Sequence, residues 1–199
     1  MTFDWLDQFA SNRYSQYGED GIIETIFNHI QPANKWCFEC GASDGLFFSN
    51  TRKLIREGWN AILVEAEDQA FKRLRHNNGL FGSRVRMCRD RITAMEPILS
   101  AAGAPTDIDL VVIDVDGQDY YLFNSMLRFR PRVVLVEYDQ NADPEFIPEF
   151  GGDGQAGLMA MRKLAAGRFY TEVYRTWSNL ILVKQPLDRL LDLEPEEKP

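Results

Sequence analysis

The sequence predicts an α/β fold, a doubly wound and mostly parallel sheet with helices on both faces. Strand-like and helix-like patterns alternate along most of the chain, as they do in successive βαβ units. Two segments, 108–113 and 133–137, are almost continuously apolar, as expected for strands that are buried on both faces. Two later strand patterns, 169–174 and 179–184, are separated by a short turn and predict an antiparallel hairpin at the end of the sheet.

The other elements follow from the spacing of apolar residues. The first helix, 19–30, has apolar side chains at helical intervals, and Pro32 ends it. Three more strands are expected, at 36–39, 61–65 and 83–88. Five more helices are expected, at 50–57, 68–77, 93–101, 120–127 and 158–166.

The 199 residues are most simply one domain, 1–199. Residues 1–31 are expected to form an N-terminal cap segment and helix. The stretch 139–157 is polar, contains two prolines and four glycines, and is too long for an ordinary connection. It therefore predicts a lid or an acceptor-binding loop, whereas the charged tail 194–199 is expected to fray.

The composition narrows the class of protein. Thirty acidic residues against 22 basic ones give a formal charge of −8, which argues against nucleic acid as a partner. We expect no signal peptide and no membrane span, because the chain has neither a basic start nor a long apolar stretch. Three cysteines are an odd number for a disulfide framework, so we expect a cytoplasmic protein. The oligomeric state cannot be predicted.

A strand followed by a glycine turn, in residues 36–45, is the first candidate site. The strand ends in Glu39, Gly41 begins the turn, and Glu65 ends the next strand. Such a glycine lets a ligand approach the backbone, and such an acid can accept both hydroxyls of a ribose. Because Glu39 and Asp44 would repel a diphosphate, the pattern favours a cationic nucleoside cofactor such as S-adenosylmethionine. The simpler alternative is a strand-end acid next to an ordinary turn.

Acidic residues also follow two neighbouring strands nearer the C-terminus. The first group follows the strand 108–113 and consists of Asp114, Asp116 and Asp119. The second group ends the strand 133–137 and consists of Glu137 and Asp139. Clustered carboxylates bind a hard cation such as Mg²⁺ or hold a catalytic base. The alternative is that Asp116 or Asp119 only caps the next helix.

Taken together, these motifs resemble those of the FkbM-type methyltransferases, a family of S-adenosylmethionine-dependent O-methyltransferases. Residues 114–119 match the family's D-x-E/D-G-x-E/D motif, residues 38–45 followed by 49–51 match its first motif, and residues 15–21 resemble a segment common in its relatives. The resemblance covers about residues 15–184. It implies a Rossmann-like class I methyltransferase with a seven-stranded, mostly parallel sheet and a C-terminal antiparallel hairpin.

The resemblance also implies roles for individual residues. The residues expected to bind the cofactor are Glu39, Gly41, Ser43, Asp44, Gly45, Asn50, Glu65, Asp90 and Asp114. Among them, Glu39, Gly41 and Asp44 would line the methionine part of the cofactor. Glu65 would hold the ribose, and Asp90 would lie near the adenine.

Catalysis is assigned to the second group of acids. Asp116 is the candidate base, with Asp114 and Asp119 beside it. Some related sugar O-methyltransferases bind magnesium through acids after strands four and five, which makes Asp114, Glu137 and Asp139 conceivable metal ligands. Those relatives have paired aspartates after strand five, whereas this chain has Glu137-Tyr138-Asp139. Dependence on Mg²⁺ therefore stays open.

The expected activity is methylation of a hydroxyl on a small-molecule or glycan acceptor, such as a sugar. An NAD-dependent oxidoreductase is one alternative, although the phosphate-binding glycine pattern is incomplete. A non-catalytic cofactor-binding or interaction domain is another. It would be favoured if the acids of 114–119 were all engaged in caps and ion pairs. Phe146 and Phe150 would then mark a partner surface, although they fit an acceptor lid equally well.

Overall fold

The computed structural model describes residues 3–191, so the predicted frayed tail 194–199 lies outside the described residues. Seven strands form one sheet: β1 Trp36–Cys40, β2 Asn60–Glu65, β3 Val85–Arg89, β4 Leu110–Ile113, β5 Val133–Glu137, β6 Tyr170–Arg175 and β7 Asn179–Lys184. Their order across the sheet is β3-β2-β1-β4-β5-β7-β6. Neighbours from β3 to β5 are parallel, whereas β7 runs antiparallel to both β5 and β6. The predicted mostly parallel sheet with a closing hairpin is therefore confirmed.

Helices cover both faces of this sheet, as predicted. The helices are α1 Glu19–Ile30, α2 Arg52–Arg56, α3 Asp68–Asn78, α4 Glu96–Ala101, α5 Asp119–Ser125 and α6 Leu158–Gly167. Apolar side chains of α1, α2 and α3 pack into the core on one face, and those of α4, α5 and α6 pack into the core on the other. Both faces of the sheet need such a cover because successive apolar residues of each strand point to opposite sides. Within residues 3–191, no helix is both long and apolar enough to cross a membrane.

The strand order reverses between β1 and β4. From β1 the sheet continues through β2 to β3 on one side, and from β4 through β5 on the other. In open α/β sheets, ligands bind outside the carboxyl ends of the strands at such a reversal. Residues 41–45 after β1 and 114–118 after β4 lie at that point.

Most boundaries differ from the predictions by one to three residues, and three of the differences have a clear local reason. Helix α2 begins at Arg52 and not at residue 50, because residues 49–51 donate hydrogen bonds to Glu39. Helix α4 begins at Glu96, next to Pro97, whose fixed φ suits the first turn of a helix. Strand β6 begins one residue late, because Phe169 has a left-handed φ of 62°.

Candidate active site

A cleft of about 920 Å³ opens at the carboxyl edge of the sheet, where the strand order reverses. Its volume lies in the range of ligand-binding pockets. The ends of β1, β2 and β4 form its floor, and residues 150–153 of the long loop form part of its wall. The predicted site residues that line it are Glu39, Gly41, Ser43, Glu65, Asp90, Asp114 and Asp116.

Glu39 is buried at the end of β1 and accepts three hydrogen bonds. The donors are the Ser49 hydroxyl at 2.8 Å, the Asn50 backbone N–H at 2.9 Å and the Thr51 hydroxyl at 2.5 Å. Burial raises the pKa of Glu39, and these three hydrogen bonds act against that rise. Asn50 therefore supports Glu39 from below and does not line the cleft.

Gly41 allows the ends of β1 and β4 to come close together. Its φ is +76°, and a Cβ at this position would lie 1.5 Å from the carbonyl oxygen of Asp114. Only glycine fits both the conformation and the space. The first motif and the acidic motif are therefore brought into contact by this one residue.

Asp44 and Gly45 support the glycine turn from outside the cleft lining. Asp44 Oδ1 accepts hydrogen bonds from the backbone N–H groups of Leu46 and Phe47, at 2.9 and 3.0 Å. Gly45 packs against α3, where a Cβ would lie 2.4 Å from the side-chain nitrogen of Asn78. We therefore do not retain either residue, or Asn50, among the proposed cofactor ligands.

Glu65 lies at the end of β2, facing the same cleft. One carboxylate oxygen accepts the Ser43 N–H at 2.8 Å, and the other accepts the Glu67 N–H at 2.6 Å. Each carboxylate oxygen has a further lone pair, so Glu65 can still accept two hydroxyl groups. The Asp90 N–H donates to the Glu65 carbonyl oxygen at 3.1 Å, which fixes Asp90 at the next position along the cleft.

Three carboxylates meet beyond the ends of β4 and β5. Asp114, Asp116 and Glu137 each present an oxygen within 4.8 Å of the others, and we call them the carboxylate trio. Burial raises the pKa of Asp114 to about 6. Burial and then the negative charge of Asp114 raise the pKa of Glu137 to about 9. At neutral pH this pair therefore shares one proton.

Asp119 lies beneath this cluster and not in the cleft lining. Its side chain is buried, and its two oxygens accept the backbone N–H groups of Val115 and Gly117, each at 3.0 Å. Burial raises the pKa of Asp119 to about 7. The turn that it holds includes Asp116, which is exposed and has a left-handed φ of 54°. Asp119 is thus placed to position Asp116, in contrast to the catalytic role expected from the sequence.

Asp139 does not join the carboxylate trio, although the sequence placed it among the metal ligands. It accepts the Asn141 N–H at 2.7 Å and lines a separate pocket of about 730 Å³. The chain is diverted after Glu137, because the Tyr138 and Asp139 N–H groups donate to the carbonyls of Ser178 and Ala156. Asp116 takes the third place in the cluster.

Two features of the site were not foreseen from the sequence. Gln155 of the long loop donates to Glu137. Phe47 and Phe48 line the mouth of the cleft and are largely exposed. The apolar run Leu46-Phe47-Phe48 in the segment between β1 and α2 was the available signal for the second feature.

The N-terminal segment also reaches the cleft, where Gln16 forms part of the lining. Asp20 is buried and accepts the backbone N–H groups of residues 13–15 at 2.6 to 3.0 Å. Glu19 accepts the Tyr17 N–H at 2.7 Å and the Asn179 side-chain amide at 3.1 Å. These two acids hold the segment 13–17 against the start of α1.

No protein-family profile matches the chain, and no curated protein matches it. Its resemblance to FkbM-type methyltransferases therefore rests on the motifs alone. Several solved structures do resemble the chain in fold, at 11 to 16% sequence identity in the three that follow.

The N-terminal domain of EvdMO1, solved with SAH bound, has a TM-score of 0.51 and 14% identity, over 83% of this chain and 79% of that one. A Klebsiella pneumoniae protein, assigned provisionally as an O-methyltransferase, has a TM-score of 0.53 and 16% identity, over 90% of this chain and 89% of that one. The METTL16 methyltransferase domain has a TM-score of 0.54 and 11% identity, and this chain spans 63% of its length. At such identities the likeness concerns the fold: the chain has the Rossmann-like fold of the class I methyltransferases.

Proposed function

We propose that the protein is an S-adenosylmethionine-dependent methyltransferase that methylates a hydroxyl group of a small molecule, such as a sugar. One observation carries the proposal. A single cleft, at the strand reversal of a class I methyltransferase sheet, is lined by the acids Glu39 and Glu65 and by two members of the carboxylate trio, Asp114 and Asp116. The first part suits a cationic nucleoside, and the second part suits proton removal.

The residues present fit the proposed cofactor. Glu65 would accept the ribose hydroxyls through its remaining lone pairs, and Asp90 would lie beside the adenine. Glu39 and Asp114 would place negative charge near the ammonium and sulfonium groups, and Gly41 adds no side chain that could obstruct the cleft floor. The cofactor, when bound, supplies a methyl group that is activated by its attachment to a sulfonium.

The chain itself must position the acceptor and remove its proton. An alcohol is a poor nucleophile at neutral pH, so a carboxylate within hydrogen-bonding reach accelerates the transfer. Asp116 is exposed in the cleft and is held by the turn above Asp119. We assign it the role of base, with Asp114 in the cleft lining orienting the hydroxyl and Glu137 beside Asp114.

The carboxylate trio could also hold Mg²⁺, because magnesium prefers oxygen ligands. The ligands would then be Asp114, Asp116 and Glu137, and not Asp139. A bound cation would keep Glu137 ionised and would lower the pKa of an acceptor hydroxyl. Turnover measured in excess chelator and again after addition of Mg²⁺ decides whether the metal is part of the site.

Replacement of the base gives the direct test of this mechanism. In Asp116→Ala we expect turnover to fall by at least about 100-fold, since general bases contribute about 10²- to 10⁴-fold. Affinity for S-adenosylhomocysteine should stay within about threefold of wild type. The assay uses cofactor labelled in its methyl group and a panel of sugar and polyketide hydroxyls. The matched control is Asp107→Ala, which removes an exposed acid distant from the cleft. Unchanged turnover in Asp116→Ala would show that another group is the base.

The non-catalytic alternative receives less support from these contacts. It would be favoured by an acidic segment fully engaged in caps and ion pairs. Asp119 is engaged in this way, but Asp114 and Asp116 line the cleft. The NAD-dependent alternative would place a diphosphate close to Glu39 and Asp114, where like charges repel it.

A further inference from the structure

We propose that the methyl acceptor has an aromatic body, which packs against a rim of exposed phenylalanines at the mouth of the cleft. The inference rests on the proposed function and narrows its acceptor class: a bare sugar would not suffice. The rim consists of Phe47, Phe48 and Phe150, and we call it the aromatic rim.

The exposure of these rings is the first step of the argument. The exposed fractions of Phe47, Phe48 and Phe150 are 70%, 63% and 65%. All three line the same cleft, although they come from two loops that are about a hundred residues apart in sequence. Single exposed apolar residues are ordinary, but a group of them around a cleft marks a binding surface, since the free energy falls when the rings leave water.

The loop of Phe47 and Phe48 is held in place by specific contacts. Asp44 accepts the N–H groups of Leu46 and Phe47, which fixes the turn. Phe48 has a φ of +60°, a conformation that bulky residues rarely adopt. The fold therefore accepts local strain in order to place this ring at the opening.

Phe150 is held on the other loop. Its ring meets that of Tyr121 edge to face, with centroids 5.3 Å apart and an angle of 86° between the planes. The Tyr121 hydroxyl donates to the Pro148 carbonyl at 2.8 Å, which ties the loop to α5. A rim that is already ordered loses little conformational entropy when a ligand binds.

The rim and the cleft floor together define the acceptor. Its hydroxyl must reach Asp116 on the floor while the rest of the molecule contacts the rim. A sugar alone would leave the three rings in water. An anionic membrane is a poor occupant of the same surface, because the seven acids that line the cleft outnumber its two arginines, Arg73 and Arg91, and the chain carries a formal charge of −8.

The test compares two ligands that share a sugar and differ in their apolar body. The dissociation constants of 2-naphthyl β-D-glucopyranoside and methyl β-D-glucopyranoside are measured by calorimetry on the whole protein saturated with S-adenosylhomocysteine. We expect the naphthyl compound to bind at least about tenfold more tightly. That advantage should fall to less than about threefold in Phe47→Ala/Phe150→Ala and in Phe48→Asn, whose new side chain tolerates a left-handed φ.

Phe169→Ala is the matched control, because Phe169 is also 63% exposed with a φ of +62° but does not line the cleft. It should keep the full advantage of the naphthyl compound. Equal affinity for the two glucosides would overturn the proposal, and so would an advantage that survives in the rim variants. Sedimentation with phosphatidylglycerol vesicles that is lost in the rim variants would also overturn it and assign the rim to a membrane. The protein is first titrated with S-adenosylhomocysteine. If that titration shows no binding, the result contradicts the proposed function and not the acceptor class.

Discussion

At the scale of single residues, the carboxylates around the cleft differ in the hydrogen bonds that they already accept. Glu39 accepts three, and Asp119 accepts two from its own turn. These bonds fix the orientation of both side chains. Among the described residues, the side chain of Asp116 accepts no hydrogen bond from the protein. This availability, and not only its place in the motif, makes Asp116 the candidate base.

Glu137 should make the stability of the protein depend on pH. Its pKa is raised to about 9 in the folded state, so its neutral form is favoured by folding. The stability that it contributes is complete below its unfolded pKa of about 4.3 and is lost as the pH rises through about 9. The melting temperature of Glu137→Gln, relative to wild type, should therefore rise by at least about 3 °C between pH 5 and pH 9.

Thermal unfolding in a chelator-containing buffer, at pH 5, 7 and 9, measures this difference. Glu149→Gln serves as the control because Glu149 is exposed, and its offset from wild type should stay constant. A constant offset for Glu137→Gln as well would show that Glu137 is not held in its neutral form.

At the scale of elements, the turn between β4 and α5 carries the catalytic assignment. Gly41 lets the end of β1 approach this turn, and Asp119 holds its N–H groups from below. The conformation of Asp116 therefore depends on a residue that does not itself reach the cleft. Asp119 acts as a positioning residue in this account.

Asp119→Asn tests that positioning role. The new amide can accept only one of the two N–H groups and turns its own N–H₂ toward the other. A buried donor left without a partner costs about 1 to 3 kcal/mol, so the free energy of unfolding should fall by that amount. We expect kcat to fall as well, while affinity for S-adenosylhomocysteine changes little. Chemical denaturation measures the free energy of unfolding and steady-state kinetics measures kcat, with Asp107→Asn as the control. Wild-type values of both quantities in Asp119→Asn would refute the positioning role.

The elements could be predicted where the sequence pattern is strong. Strand β5 was predicted with the observed bounds, because its side chains are apolar almost without a break. Helix α2 is shorter than expected because residues 49–51 are engaged by Glu39, a contact that spacing alone does not show. Asp139 was misplaced for a similar reason, since hydrogen bonds from distant parts of the chain redirect the backbone after Glu137.

At the scale of the whole molecule, the two edges of the sheet have different roles. At the amino edge, buried Asp109 accepts the N–H groups of residues 33–35 and pairs with Arg132 at 2.7 Å, which joins the starts of β1, β4 and β5. At the carboxyl edge, the N-terminal segment and the long loop both line the cleft. The fold class and most of the cleft acids could be predicted from the sequence, because strand ends and strand order are local or topological properties. Of the aromatic rim only Phe150 could be marked from the sequence, since its place beside Phe47 and Phe48 depends on two loops that come together only in the folded chain.

The central claim is that this cleft binds S-adenosylmethionine through the acids at the strand ends. Calorimetric titration of the whole protein with S-adenosylhomocysteine and, separately, with NAD tests it most directly. We expect one S-adenosylhomocysteine to bind per chain and NAD to give no binding heat. Glu65→Gln should weaken the binding of S-adenosylhomocysteine by at least about tenfold, because hydrogen bonds to a charged group contribute about 1.5 to 3 kcal/mol. Binding of NAD in place of S-adenosylhomocysteine, or undiminished affinity in Glu65→Gln, would contradict the account.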